Sequence, residues 1–217
     1  MPWTFYNASG QKLSSKGKVP VSDLANGTDG ELITWGTDAV ATTVAVGTSG
    51  HVLTSGGTGV APTFQAAGVT IVQEVRTDSG ALVTGTTTQP LNDTIPQITE
   101  GNEVMTRTIT PTVAANLLEI QVTSCAAYST AGGMTVALYV GTTANALACG
   151  VQQIVAGTQM NVITFTHRMV AGVETELTFR VRVGCNTGGT LTFNGDSGAR
   201  RMGGTMGSSI RIREMTP

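Results

Sequence analysis

"ETELTFRVRVGC" occupies residues 174–185. Within it Leu177, Phe179, Val181 and Val183 fall on one side of an extended chain, and Thr178, Arg180 and Arg182 on the other. Successive side chains of a strand point to opposite faces, so this alternation predicts a half-buried antiparallel strand. The same rhythm returns in "SSIRIREM" (208–215), where Ile210 and Ile212 alternate with Arg211 and Arg213. Working outward, strand-like runs separated by turn residues include "TIVQEVRT" (70–77), "EVMTRTITPTV" (103–113), "LLEIQVTSCAAYS" (117–129), "MTVALYVGTT" (134–143) and "MNVITFTHRMV" (160–170). "ALACGVQQIVAG" and "GTLTFNG" complete the series. No segment carries a helical period with caps. Residues 68–217 are therefore expected to form an antiparallel β-sandwich head. A jelly roll is the favoured form. An immunoglobulin-like sandwich is the alternative, but both tryptophans lie before residue 36, so its Cys–Trp–Cys signature is absent. The polar stretch 78–96 reads as a loop packed over the sandwich or against a neighbouring subunit.

Composition agrees with an all-β chain. Of the 217 residues only 12% are charged and 5% aromatic, while 28 are glycine. Thr and Val favour strands, and Gly favours turns and bulges. A net charge of −2 gives no reason to expect a nucleic-acid partner. No apolar run reaches the ~18 residues of a membrane-spanning helix, so no membrane partner is expected. The opening "MPWTFYNASGQKLSSKGK" lacks the apolar centre of a signal peptide, so the chain reads as made and assembled in a cytoplasm. Cys125, Cys149 and Cys185 have no paired spacing and are expected to be buried free thiols.

The first 67 residues have a different texture. All three lysines, Lys12, Lys16 and Lys18, fall within the first 18 residues, beside the aromatics Trp3, Phe5 and Tyr6. Residues 1–29 therefore read as a basic docking arm whose rings gain by burial against a partner. Residues 30–67 contain a repeat. "GELITWGTDAVATTV" (30–44) aligns with "GHVLTSGGTGVAPTF" (50–64): Gly30/Gly50, Thr34/Thr54, Gly36/Gly56, Val40/Val60, Ala41/Ala61 and Thr43/Thr63 are identical. Each unit is too short to bury its own apolar face, and two copies are too few for a solenoid. The missing burial is expected from other copies of the same chain, with Leu32, Ile33, Trp35, Val52, Leu53 and Phe64 as the packing residues of a stalk. An ordinary pair of β-hairpins on a monomer is the alternative.

"DGELITW" followed by "VAVGTSGHVLTSGGTGVAPTFQA" resembles the short repeat module of fibre and surface proteins of tailed bacteriophages. "WTFYNASGQKL" is similar to their attachment end, and "GGTMGSSIRIREM" to the last strand of their C-terminal heads. This resemblance implies a homotrimeric structural protein on a virion surface: a capsid decoration or head spike, or alternatively a short tail fibre or receptor-binding protein. It implies as partners a major capsid protein or a tail or baseplate protein, reached through the arm, and a host-surface glycan for the receptor-binding form. The repeat itself predicts self-association and leaves the number of copies open.

Chemical motifs offer little against this. "GDSG" (195–198) matches a serine-protease nucleophile, but His51 and His167 sit in a repeat and in a strand, so a turn explains it better. Glu174 and Glu176 lie two apart and are expected on one solvated sheet face rather than converging for glycoside cleavage. Asp93 and Asp196 lack the spacing of a calcium loop, and no cofactor or metal is expected. Arg200 and Arg201 read as a solvated loop or as an inter-subunit or receptor-facing ion pair, and Met202 and Met206 as interface fillers. A sugar-binding module would need exposed rings, and the head has only Tyr128, Tyr139, Phe165, Phe179 and Phe193.

Overall fold

The computed structural model describes Tyr6, residues 29–35 and residues 41–217. The chain divides into two units, Met1–Gly68 and Val69–Pro217. The first unit contains two hairpins: β1 (Leu32–Trp35) pairs with β2 (Ala41–Val44), and β3 (His51–Thr54) with β4 (Thr63–Ala66). The second unit carries β5 (Ile71–Ser79), β6 (Val83–Gly85), β7 (Asn102–Ile109), β8 (Leu117–Tyr128), β9 (Gly132–Val140), β10 (Ala148–Ile154), β11 (Met160–Val170), β12 (Leu177–Cys185), β13 (Leu191–Phe193), the small hairpin β14 (Gly195–Asp196) and β15 (Ala199–Arg200), and β16 (Ser208–Met215).

Two antiparallel sheets form the sandwich. One runs β10-β9-β12-β7. The other runs β5-β16-β8, with β11 on the far edge of β8 and the short β13 and β6 continuing beside the end of β8. Taking the eight long strands in chain order, the first, eighth, third and sixth make one sheet, and the second, seventh, fourth and fifth the other. That interleaving is the jelly roll, in which two Greek keys wrap around one core. Its inner faces supply that core: Ile120 and Val122 from β8, Val136 and Leu138 from β9, Phe179, Val181 and Val183 from β12, and Ile210 and Ile212 from β16 are all fully buried. The alternating partners Arg180, Arg182, Arg211 and Arg213 are half-buried on the outer faces.

The outer face of the β10-β9-β12-β7 sheet is covered along β9. Thr135, Ala137 and Tyr139 point outward from β9 and are nonetheless buried. Residues 86–101 cross over them. Gly184 and Gly133 make room for the crossing, since a Cβ at either would collide with the side chain of Gln89 or Leu91 respectively. The Tyr139 hydroxyl donates to the Gln97 carbonyl at 2.9 Å, and Arg182 donates to the carbonyls of Glu100 and Gly101, each at 2.9 Å. The stretch expected as a loop thus includes a short strand, β6, and a cover. Val83–Gly85 pairs with β13 because its neighbour offers a free edge there.

A buried carboxylate fastens one end of the sandwich. Glu214 on β16 is fully buried. Its oxygens accept from Gln73 Nε2 (2.6 Å), the Thr112 N–H (2.8 Å) and hydroxyl (2.7 Å), and Asn116 Nδ2 (2.6 Å). Burial pushes its pKa up, but these hydrogen bonds from Gln73, Asn116 and Thr112 outweigh it and hold the carboxyl down to about 2. The β7–β8 turn is thereby tied to the C-terminal strand.

Two expectations need correction. Cys125 and Cys185 are buried, but Cys149 is exposed, because it lies on the outward side of the edge strand β10. Glu174 and Glu176 are solvated but precede β12, so they occupy a turn and not a sheet face. The Glu174 carboxylate there accepts from the Ala114 N–H at 3.2 Å.

Candidate interaction surface

The hairpin unit presents its apolar residues to the outside. Leu32 (42% exposed), Ile33 (57%), Trp35 (70%), Val52 (51%) and Leu53 (48%) all come from strands β1 and β3. Val46 and Val60, in the connections, are exposed as well. Among the described hydrophobic residues of this unit only Val44 is buried. An isolated two-stranded hairpin is marginal in water, and four-residue strands are at its short limit. Among the described residues these hairpins therefore lack the burial that would hold them.

The repeat is visible in the backbone. Gly30 and Gly50, at equivalent repeat positions, adopt φ of 89° and 85°, a conformation natural to glycine, and each precedes a strand. The two copies are not identical in pairing. Leu32 faces Val44 in the first hairpin, whereas its counterpart Val52 faces Gln65 rather than Phe64 in the second. Between the hairpins lies an open depression of about 310 Å³, lined by Val44–Thr48, His51, Thr63 and Phe64. Phe64, half-buried, packs against Gly47, where a Cβ would strike its ring.

Of the expected arm residues, Tyr6 is 61% exposed, and Trp3, Phe5, Lys12, Lys16 and Lys18 lie outside the described residues. The stalk residues Leu32, Ile33, Trp35, Val52, Leu53 and Phe64 all fall on the two hairpins. Val46 and the depression were missed by the sequence reading. Their signal was the run "VAVGTSG" joining the two repeat copies, whose apolar residues have no counterpart strand.

The sandwich has a contrasting surface. Across β5, β16, β8 and β11 the register aligns Glu74, Arg213, Glu119 and Arg168 in one row. Arg213 Nε lies 2.6 Å from Glu74 Oε2, Arg213 Nη1 3.9 Å from Glu119 Oε1, and Arg168 Nη2 2.6 Å from Glu119 Oε2. The Arg213 hydrogen bond holds the Glu74 carboxyl below its ordinary range, despite an opposing effect of burial. Arg211 donates to Gln121 at 2.7 Å, and Arg76 to Asp78 at 2.7 Å. Apart from Arg211, whose partner is a neutral amide, each of these charges faces an opposite one within the sheet, which suits a solvated face.

The remaining motif residues are dispersed. Ser197 and Gly198 (φ 50° and 74°) form the tight turn between β14 and β15, and Ser197 is exposed with no hydrogen bond to a histidine. His167 sits mid-strand opposite Ile120, where burial lowers its pKa. Arg201 donates to Asp196 at 2.6 Å within the same hairpin loop, so it already has an intrachain partner. Met202 is 71% exposed and Met206 half-buried. Tyr128, Tyr139, Phe179 and Phe193 are buried, and Phe165 packs against the core. Among the described residues no cluster of three or more His, Cys, Asp or Glu side chains could hold a metal ion.

No protein-family model and no curated protein matches the sequence. Solved structures of similar architecture include the CBM36-1 domain of a multidomain xylanase from the hindgut metagenome of Trinervitermes trinervoides, at 12% identity, TM-score 0.35, covering 64% of this chain and 96% of that one. The C-terminal domain of EclA, a sugar-binding protein, is similar at 13% identity and TM-score 0.31, covering 52% and 73%. Infectious bursal disease virus Gt strain is similar at 9% identity and TM-score 0.36, covering 82% of this chain and 45% of that one. At these scores the likenesses carry no functional weight, and the jelly roll rests on the strand order itself.

Proposed function

We propose that the chain is a structural protein of a tailed-phage virion, a homotrimer that decorates or spikes the capsid. Residues 1–29 dock on the particle, 30–67 join the copies, and the jelly roll projects. The observation that carries this reading is the pair of repeat-derived hairpins with Leu32, Ile33, Trp35, Val52 and Leu53 all exposed. Apolar surface of that kind on so small a unit calls for a partner, and a second and third copy of the chain supply one on every molecule. Three linked arms would then turn weak single contacts into firm attachment. The action is binding; no catalytic step is assigned.

A short tail fibre or receptor-binding protein is the second reading, and one feature of the sandwich favours it. The chain enters the sandwich at Thr70, bonded to Thr216, at one end. The turns 129–131, 155–159 and 186–190 and the 194–207 segment gather at the opposite end, where Val155 (77%) and Met202 (71%) are exposed. The experiment that separates the readings mixes purified full-length chain with particles lacking it and, separately, with host cells. Saturable binding to capsids with no adsorption to cells supports decoration. Adsorption to cells that blocks infection supports the fibre, and failure of both removes the virion assignment.

A further inference from the structure

We infer that copies of this chain join head to tail through Trp35, the indole of one copy seating in the depression between the hairpins of the next; this rests on the self-association proposed above. Trp35 ends β1 and is 70% exposed, so it does not fill the depression of its own chain. The depression, about 310 Å³ and open to solvent, is lined by Val44, Val46 and Phe64 together with Thr48, His51 and Thr63, and Phe64 packs against Gly47 on one side of it. An enclosed apolar cavity of roughly 150 Å³ holds one benzene molecule. An indole has about half again as many ring atoms as benzene, so the open depression has room for it. Knob and hole are different surfaces of the same unit, so the contact is heterologous and closes into a ring when the rotation allows. The repeat reinforces this. Where the first copy has Trp35, the second has the small, polar Ser55, so each chain offers one knob rather than two.

The test uses the full chain and its mass in solution. Trp35→Ala removes the knob, and Thr63→Trp fills the hole. Each variant alone is expected to be monomeric at concentrations where the natural sequence is oligomeric, with association weakened at least about 30-fold, as for a buried Trp anchor. Mixing the two variants restores one sound junction, the filled-hole chain's Trp35 entering the knobless chain's depression, and yields a one-to-one dimer. Trp35→Phe is expected to retain part of the association. In a Trp3→Phe background the remaining Trp35 emission is expected to shift to the blue as concentration rises. Sound assembly of Trp35→Ala, or a mixture that stays monomeric, overturns the Trp35 junction and leaves self-association standing. A natural sequence that is monomeric throughout overturns both.

Discussion

The hairpin unit and the sandwich draw on the same residues, chiefly Thr, Val, Gly and Ala, and treat apolar surface in opposite ways. In the sandwich Phe179, Ile120 and Ile212 are fully buried, and even the outward Tyr139 is covered by residues 86–101. In the hairpins Leu32, Ile33, Trp35 and Leu53 stand in water. Strand length explains the difference. Strands of 8 to 12 residues such as β16 and β8 can close two faces over one core, while 4-residue strands in pairs cannot. The sandwich encloses its core within one chain, and the described residues of the hairpins leave theirs exposed.

That contrast can be pressed with substitutions on either side of it. Phe179→Ala opens a cavity in the jelly-roll core and is expected to cost about 4 kcal/mol of sandwich stability by chemical denaturation. It should leave the association of chains that remain folded unchanged. Glu214→Ala leaves Gln73, Asn116 and the Thr112 N–H without their acceptor and is expected to cost about 3 kcal/mol. The pH dependence has a fixed sign. The folded carboxyl lies at about 2 against an ordinary 4.5, so its contribution is fully present above about 4.5 and is lost as pH falls toward 2. The part of the acid destabilisation that belongs to Glu214 should vanish in the variant, as denaturant titrations between pH 5 and 2 would reveal.

Smaller effects are expected where surfaces are solvated. Gly50→Ala meets no neighbour within 4 Å but is forced to a φ near 85°, so a cost of about 1 kcal/mol is expected from backbone conformation alone. Its readout is the melting of the assembled hairpins, with the sandwich transition unmoved. Arg168→Ala removes one end of the charge row next to Glu119 and is expected to cost less than about 1 kcal/mol, fading in high salt.

The sandwich was legible where alternation was clean. Arg180 and Arg182 against Phe179, Val181 and Val183 placed β12 with its faces, and Ile210 and Ile212 did the same for β16. The cover was not legible. β9 reads "GGMTVALYV", without a polar side, because both its faces are buried, and nothing local says which segment supplies the second layer. Gln89 and Leu91 reach it only through the long-range fit over Gly184 and Gly133. The burial of Glu214 has no local signal in the sequence, since its partners lie about a hundred residues or more away. Cys149 was misplaced because burial on an edge strand depends on what lies beside the edge, which periodicity does not encode. In the hairpins the repeat pointed to apolar residues that stand exposed, while the depression depends on how two turns meet.

The most direct test is the native mass of the full chain by light scattering beside Val69–Pro217 alone, a unit with its own complete core. The expected result is a trimer for the full chain and a folded monomer for the sandwich. A monomer in both would contradict intermolecular completion of the hairpins, and a trimer in both would place the joining surface on the sandwich instead.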